Sequence, residues 1–494
     1  MLRFVLTAQL ALLATISPVN AQQEENFDYF ATNRQMIRNG VQAVLMCNGL
    51  FTSHRTLEQV FDQELAYLTS DRFGGYVGNI DGGEYEVRTD LQAVAIGGPN
   101  SGIVIHAAFR KGIGCVVMAP DMTFDDIDSL PELDLPYVDR DANTVPWPNG
   151  DLVPTLVPSL NVDANALQAA SDWTFDRDTP EQDTLSLIVV YQGDIIHERY
   201  AQGINEQTRT RTWSTAKSIA STLIGMLVDK GQMSLDDPLG FEWLPDIRTH
   251  EEDPRNEITL RHALNMSTGL YPLDNQGMEY VTGSGMSYWA GASSVNGARQ
   301  RAVVREPGTY WDYENYDTLL AVLAMKNALG SDTAYQEYPR RALLDKIGMR
   351  NTLISADRFH DFILSSQVYT NARDLARFGL LYLQGGTWNG EQLISKEWID
   401  FVTTPAPATA DRGQFYGGQW WLVPDDRTDV PADAYSTAGN RGQYVIVVPS
   451  HDIVIVRRGL DYKGQGFDNF DLTREVLKAI KPNEDLAANT SPLR

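Results

Sequence analysis

Cysteine is nearly absent from this sequence: Cys47 and Cys115 are the only two in 494 residues. Neither sits in a metal-ligand pattern, and the seven histidines (54, 106, 197, 250, 262, 360 and 451) include no His-Glu-x-x-His spacing. A run that begins like a calcium loop, Asp139, Asp141 and Asn143, lacks the glycine and the closing glutamate that such a loop needs. Positive charge is scarce too. The net charge is −25 and the pI about 4.6, which disfavours nucleic acid and anionic membrane surfaces as partners. Beyond the N-terminus no apolar run reaches transmembrane length. There is no internal repeat, no low-complexity tract and no Gly-x-Ser-x-Gly, so a Ser-His-Asp hydrolase of the nucleophile-elbow type is disfavoured.

What the chain does have is apolar content of 43% and aromatic content of 10%, the make-up of a packed globular protein of one large or two ordinary domains. Arg3, the short apolar stretch Phe4 to Ile16 and the small residues around Ala21 read as an export signal over 1–21, cleaved after Ala21. The mature protein is then expected to be periplasmic or secreted, with no membrane insertion after cleavage. In an oxidising compartment Cys47 and Cys115 are expected to be bridged, the alternative being two separate buried thiols.

Residues 22–160 carry short apolar segments (Ala93–Ile96, Gly102–His106, Cys115–Met118) broken by Gly and Asp, which read as strands and turns; 139–158 reads as a connecting loop. From 161 the pattern is that of one mixed domain running to 484, with a tail over 485–494. Helices are expected near Asn165–Phe175, Ser214–Lys230, Ala372–Gln384, Lys396–Thr403 and Thr473–Ile480. A hairpin is expected at Leu185–Ala201, and strands near Gly418–Val423, Gly442–Val448 and Ile453–Arg457. Two strands before the helical middle and three after it suggest one antiparallel sheet assembled from both ends of the domain.

Ser214-Thr-Ala-Lys217 opens the second of these helices. Positions i and i+3 share a helix face, so the hydroxyl and the amine would lie side by side, and a Ser hydroxyl becomes a nucleophile when a neighbouring base takes its proton. Twenty-five Ser and nine Lys would produce such a spacing by chance about every second time. The plain alternative is a helix with an N-cap Ser and a surface Lys. Two further segments could complete a site. Tyr313-Glu-Asn315 offers a proton-passing phenol and an amide to hold the amine. A second Tyr-x-Asn, Tyr369-Thr-Asn371, precedes an amphipathic helix, so Asn371 reads as its N-cap. Thr437-Ala-Gly439-Asn440 lies just before a strand, where Gly lets a backbone approach a substrate closely; an ordinary hairpin turn is the alternative.

In this order, and with their contexts Arg211-Thr-Trp-Ser, Glu306-Pro-Gly-Thr-Tyr and Tyr416-Gly-Gly-Gln-Trp, these segments resemble the β-lactamase-related serine hydrolases. That group comprises class C β-lactamases, low-molecular-weight penicillin-binding proteins, esterases of the same fold and 6-aminohexanoate-dimer hydrolases. The resemblance spans about 165 to 480; Cys47, Cys115 and Trp147-Pro-Asn-Gly-Asp151 look like the extension of nylon-oligomer-hydrolase-like members. It implies an α+β fold of the β-lactamase/transpeptidase type: a central antiparallel sheet flanked by helices, a mostly helical subdomain, and an N-terminal extension packed on the catalytic domain. It implies Ser214 as nucleophile, Lys217 as its activating partner, Tyr313 as proton shuttle, Asn315 as a positioning group, and the backbone N–H groups of Ser214 and Asn440 as oxyanion donors, with no cofactor or metal. Where the family often has Lys-Thr-Gly or His-Thr-Gly, this chain has Thr437-Ala-Gly439, so the cation that meets a substrate carboxylate is missing and a small amide or ester is expected rather than a β-lactam. Arg441, close in sequence, is a candidate replacement. Whether Lys217 or a Tyr313 phenolate acts as the base stays open, because the two states carry the same number of protons. A binding protein on the same fold, recognising D-Ala-D-Ala peptides without catalysis, is the other reading. The oligomeric state is not legible.

Overall fold

The apolar strands Thr184–Tyr191, Gln443–Val448 and Ile453–Gly459 form the middle of a six-stranded antiparallel sheet, because each is buried on both faces. In the computed structural model, which describes residues 28–69, 73–100, 102–136, 141–153, 161–245 and 253–481, the strand order across this sheet is Trp421–Leu422, Tyr435–Gly439, Gln443–Val448, Ile453–Gly459, Thr184–Tyr191, Asp194–Tyr200. Side chains alternate between its faces with the two-residue period of a strand, with register shifts at Val189/Val190 and Arg458/Gly459. Ile188, Val190, Val445, Val447, Val454 and Val456 join a core with the helices Thr215–Asp229 and Ala372–Leu383. Leu187, Val189, Ile446, Val448 and Ile455 pack on the other face with Leu167 and Leu472 of the helices Ala164–Phe175 and Asn469–Leu477. The sheet therefore lies between two helical layers.

Four elements differ from the sequence reading. Tyr435–Gly439 is itself a strand, hydrogen-bonded to Gln443–Val448 with Thr437 opposite Val445 and Gly439 opposite Gln443, so four strands rather than three follow the helical middle. Its small residues hide the apolar alternation that would have announced it. The strand expected over 418–423 shortens to Trp421–Leu422, and the closing helix begins at Asn469, capped by Asp468, four residues early. The largest difference is Ala31–Cys47, a helix buried from Asn39 to its end, in a region read as strands and turns. Its polar residues Asn39 and Gln42 are buried and bonded to the carbonyls of Ile103 and Val77, which blurs its apolar face in the sequence.

That helix packs on a separate four-stranded antiparallel meander, Tyr85–Arg88, Ala93–Ile96, Ile105–Arg110 and Gly114–Val117. Cys47 at the helix end and Cys115 in the last strand are joined in a disulfide. Gly40 lets the same helix lie directly against the backbone at Trp289; a Cβ there would fall 1.6 Å from the Trp289 carbonyl oxygen. Residues 1–21, the linker end at 160 and the tail 485–494 lie outside the described residues. No helix among the described residues is long and apolar enough to cross a membrane.

Candidate active site

Ser214 stands at the N-terminus of the helix Thr215–Asp229, directly after Trp213, whose φ of 50° lies in the left-handed region. A bulky residue held there costs on the order of 1–3 kcal/mol, which the surrounding packing must supply. That packing is aromatic and cationic: the Arg211 guanidinium lies 4.0 Å from the Trp213 ring centroid and 4.3 Å from that of Trp289, and donates to Ser366 Oγ at 2.6 Å. The Ser214 hydroxyl makes no capping bond, and Lys217 is 1% exposed, so the plain alternative of an N-cap Ser and a surface Lys does not describe this helix.

Lys217 Nζ has three polar neighbours: Asn315 Oδ1 at 2.6 Å, the Ser365 carbonyl at 2.8 Å and Ser214 Oγ at 3.2 Å. The first two can only accept. A neutral amine has two hydrogens and one lone pair, so two N–H groups directed at these acceptors leave the lone pair facing the Ser214 hydroxyl. Burial lowers the Lys217 pKa to about 7, against the upward pull of Asp274, Glu279 and Glu314. The tetrad thus pairs a hydroxyl with an amine that is substantially neutral at neutral pH.

Tyr313 lines the same cleft as Ser214, and its ring lies 4.9 Å from Lys217 Nζ. Trp421, Trp311 and Tyr416 surround it at centroid distances of 5.6, 6.0 and 6.2 Å. Burial pushes its phenol up, so it keeps its proton. Asn315 begins the helix Asn315–Leu329; its Nδ2 donates to Asp274 Oδ2 at 2.8 Å and Ser284 Oγ at 3.0 Å, which fixes Oδ1 toward the lysine. Behind it, burial and then Asp274 push the Glu314 carboxyl well up.

A cleft of about 250 Å³ opens over these groups, lined by Ser214, Tyr313, Asn315, Asn440, Trp213, Ser366, Asp274, Glu279, Tyr280 and Tyr67, with Asn275. Asn440 occupies the turn that follows Gly439, and Gly439 admits the close approach of the Thr212 carbonyl, which would lie 2.1 Å from a Cβ. Thr437 is not brought to the cleft: it is fully buried, with Oγ1 3.0 Å from Thr215 Oγ1 and accepting from the Val445 amide. On its strand it faces the underside of the Ser214 helix, so its reading as a substrate contact is corrected. Arg441 does not supply a cation either. It is buried, and it donates to the carbonyls of Gln63, Glu64, Leu460 and Asp461.

The sequence reading passed over Asp274, Glu279, Tyr280, Ser366 and Tyr67. Trp213 and Glu314 were inside quoted segments and could have been found by adjacency. The others come from short helical turns, such as Leu65–Thr69 and Asp274–Met278, and from loops with no local signature. Among the described residues no group of three or more His, Cys, Asp or Glu side chains could hold a metal ion.

The Beta-lactamase family profile matches residues 176–457, more than half of the chain. The 6-aminohexanoate-dimer hydrolase of Paenarthrobacter ureafaciens is 24% identical over 335 residues, covering 62% of this chain and 82% of that protein. Esterase EstB of Burkholderia gladioli is 31% identical over 124 residues, 23% of this chain and 31% of that protein. Among solved structures, EstCE1, described as a hydrolase with promiscuous acyltransferase activity, superposes with a TM-score of 0.50 at 14% identity, covering 63% of this chain and 97% of that one, a likeness of fold.

Proposed function

The chain belongs to the Beta-lactamase family, and from that premise we propose that it is a serine hydrolase that cleaves small amides or esters through an acyl-enzyme on Ser214. The observation that carries this reading is the set of three contacts around Lys217 Nζ, two to acceptors and the third to Ser214 Oγ. Lys217 takes the Ser214 proton as Oγ attacks the substrate carbonyl carbon. The oxyanion is held between the backbone N–H groups of Ser214 and Asn440, a stabilisation worth about 2.7–4 kcal/mol per donor in sites of this kind. Tyr313, kept as a phenol by burial, delivers a proton to the leaving group, and Lys217 restores it. Water then attacks the ester on Ser214 with the same groups in reverse roles.

The lining supports a preference within this chemistry. Asp274 and Glu279 face the cleft, and neither Thr437 nor Arg441 brings a cation to it. A substrate carboxylate would meet like charge with no partner, which argues against β-lactams and D-Ala-D-Ala peptides and for neutral or cationic substrates. Export directed by residues 1–21 would place this activity in the periplasm or outside the cell. We also propose that the unit built on Ala31–Cys47 and its meander is the N-terminal extension of the hydrolase domain.

Ser214→Ala tests the reading. The variant is expected to keep its circular dichroism and melting transition and to lose turnover of p-nitrophenyl acetate, while the parent gains the mass of a fluorophosphonate adduct on Ser214. Retained turnover in a folded variant would overturn it.

A further inference from the structure

The hydrolase domain does not enclose the cleft unaided. Tyr67 comes from the N-terminal segment Leu65–Thr69, some 150 residues before Ser214, and is part of the cleft lining (the spacing being read from the sequence). Its ring packs at 5.0 Å on Trp213, the residue before Ser214, and at 4.9 Å on Phe73. Its hydroxyl lies 2.5 Å from that of Tyr280 and accepts from Asn440 Nδ2 at 3.4 Å. Tyr67 and Asn440 are also the two residues that the cleft shares with an adjoining pocket of about 390 Å³, whose other walls include Phe73, Tyr462 and Gly464. The Tyr67–Asn440 pair is thus a partition with space on both sides.

The partition is anchored. Arg441, next to Asn440, is buried and donates to the carbonyls of Gln63 at 2.8 Å and Glu64 at 3.1 Å. The Glu64 carboxylate in turn pairs with the buried Arg55 at 2.6 Å. Two consecutive residues of the hairpin turn therefore hold both the tyrosine and the segment that carries it. The arrangement keeps Tyr67 in register with the oxyanion side of the site.

We propose that Tyr67 is a specificity-determining residue that ends the acyl pocket and restricts this enzyme to short acyl groups. The inference rests on the acyl-enzyme reading of Ser214. In that reading the leaving-group atom must face the Tyr313 phenol, so the part of the substrate that reaches toward Asn440 and Tyr67 is the acyl chain. A chain of a few carbons stops at the Tyr67 ring. Cutting the ring back joins the cleft to the second pocket, where Phe73 and Tyr462, set among the polar Arg441, Asp461, Lys463 and Gln465, give the distal methylenes of a long chain room and apolar contact.

The test uses the full chain with two alkyl fluorophosphonates, ethyl and dodecyl, and reads both the labelling rates and the residue labelled. In labelling, Ser214 Oγ bonds to phosphorus, fluoride leaves and the hydroxyl proton passes to Lys217. In Tyr67→Ala the dodecyl-to-ethyl rate ratio is expected to rise at least about tenfold, the scale at which a pocket discriminates by size. Tyr67→Leu provides the same widening if the alanine variant does not fold. Tyr67→Phe keeps the ring and is expected to hold the ratio within about twofold of the parent. An unchanged ratio in the widened variants, with the adduct still on Ser214, would overturn this inference and leave the acyl-enzyme reading standing. An adduct on another residue would overturn that reading and this inference with it.

Discussion

The division of labour between Lys217 and Tyr313 can be tested by changing the leaving group. Lys217 has a pKa of about 7 through burial, so its base form is half populated near neutrality and falls to about one tenth a pH unit lower. The acylation rate, followed as kcat/KM, should rise tenfold per pH unit below about 7 and level off above it. Tyr313 is pushed the other way by burial and should add no alkaline limb in the usual assay range. In Tyr313→Phe the proton donor is gone but the Lys217–Ser214 contact at 3.2 Å remains. An anilide, whose amine must be protonated to leave, should lose about 100-fold or more in kcat/KM, whereas p-nitrophenyl acetate, whose leaving group departs as an anion, should lose less than about tenfold. The limb near pH 7 should stay in place for both. Stopped-flow or plate assays of the two substrates from pH 5.5 to 9 decide it. Were Tyr313 as phenolate the base, both substrates would lose activity alike and the limb would vanish with the hydroxyl; that result would refute the reasoning.

Burial of Lys217 also couples stability to pH. The folded protein releases this proton above about 7, while the unfolded chain keeps it to about 10.4, so the unfolded state binds more protons in between. Stability should therefore rise by up to about 1.4 kcal/mol per pH unit across that window. Urea unfolding of the parent and of Lys217→Met at pH 7 and 9 checks this, since the variant should lack that increment. The Cys47–Cys115 bond, 68 residues apart in sequence, should contribute roughly 4 kcal/mol in the chain-entropy model, to be seen as a lower denaturation midpoint for Cys47→Ala/Cys115→Ala. Gly40→Ala would set a Cβ 1.6 Å from the Trp289 carbonyl oxygen. It should destabilise by about 1–3 kcal/mol or more, with a midpoint at or above that of the parent as the contrary result.

Much of the hydrolase domain was legible because its chemistry and its periodicity are local. The Ser214 helix, the Asn371-capped helix and the hairpin at 184–200 follow from apolar spacing, cap residues and a Gly-containing turn. The pairing of Ser214 with Lys217 needs only the helix period. The helix Ala31–Cys47 was not legible, because it is enclosed by the meander and by Trp289 and so carries no single apolar stripe. The strand Tyr435–Gly439 was hidden by small residues, and the fate of Thr437 by the fact that a one-residue step along a strand reverses which face a side chain meets.

By itself, the sequence determined two candidate pairs, since Ser214 and Lys217 lie at a spacing that one helix converts into neighbours and Tyr313 and Asn315 stand at one helix start; tertiary structure brought the two pairs together. Tertiary structure alone decided how those groups are tuned. Burial lowers the Lys217 pKa to about 7, and the groups that enclose the amine, Asn315 and Ser365 among them, are distant in sequence, because a pKa depends on what excludes water and not on the flanking residues. The carboxylates Asp274 and Glu279, the buried course of Arg441 and the Tyr67 wall are likewise products of loop placement. Long-range packing brings them to Ser214, and no short-range pattern in the chain encodes it.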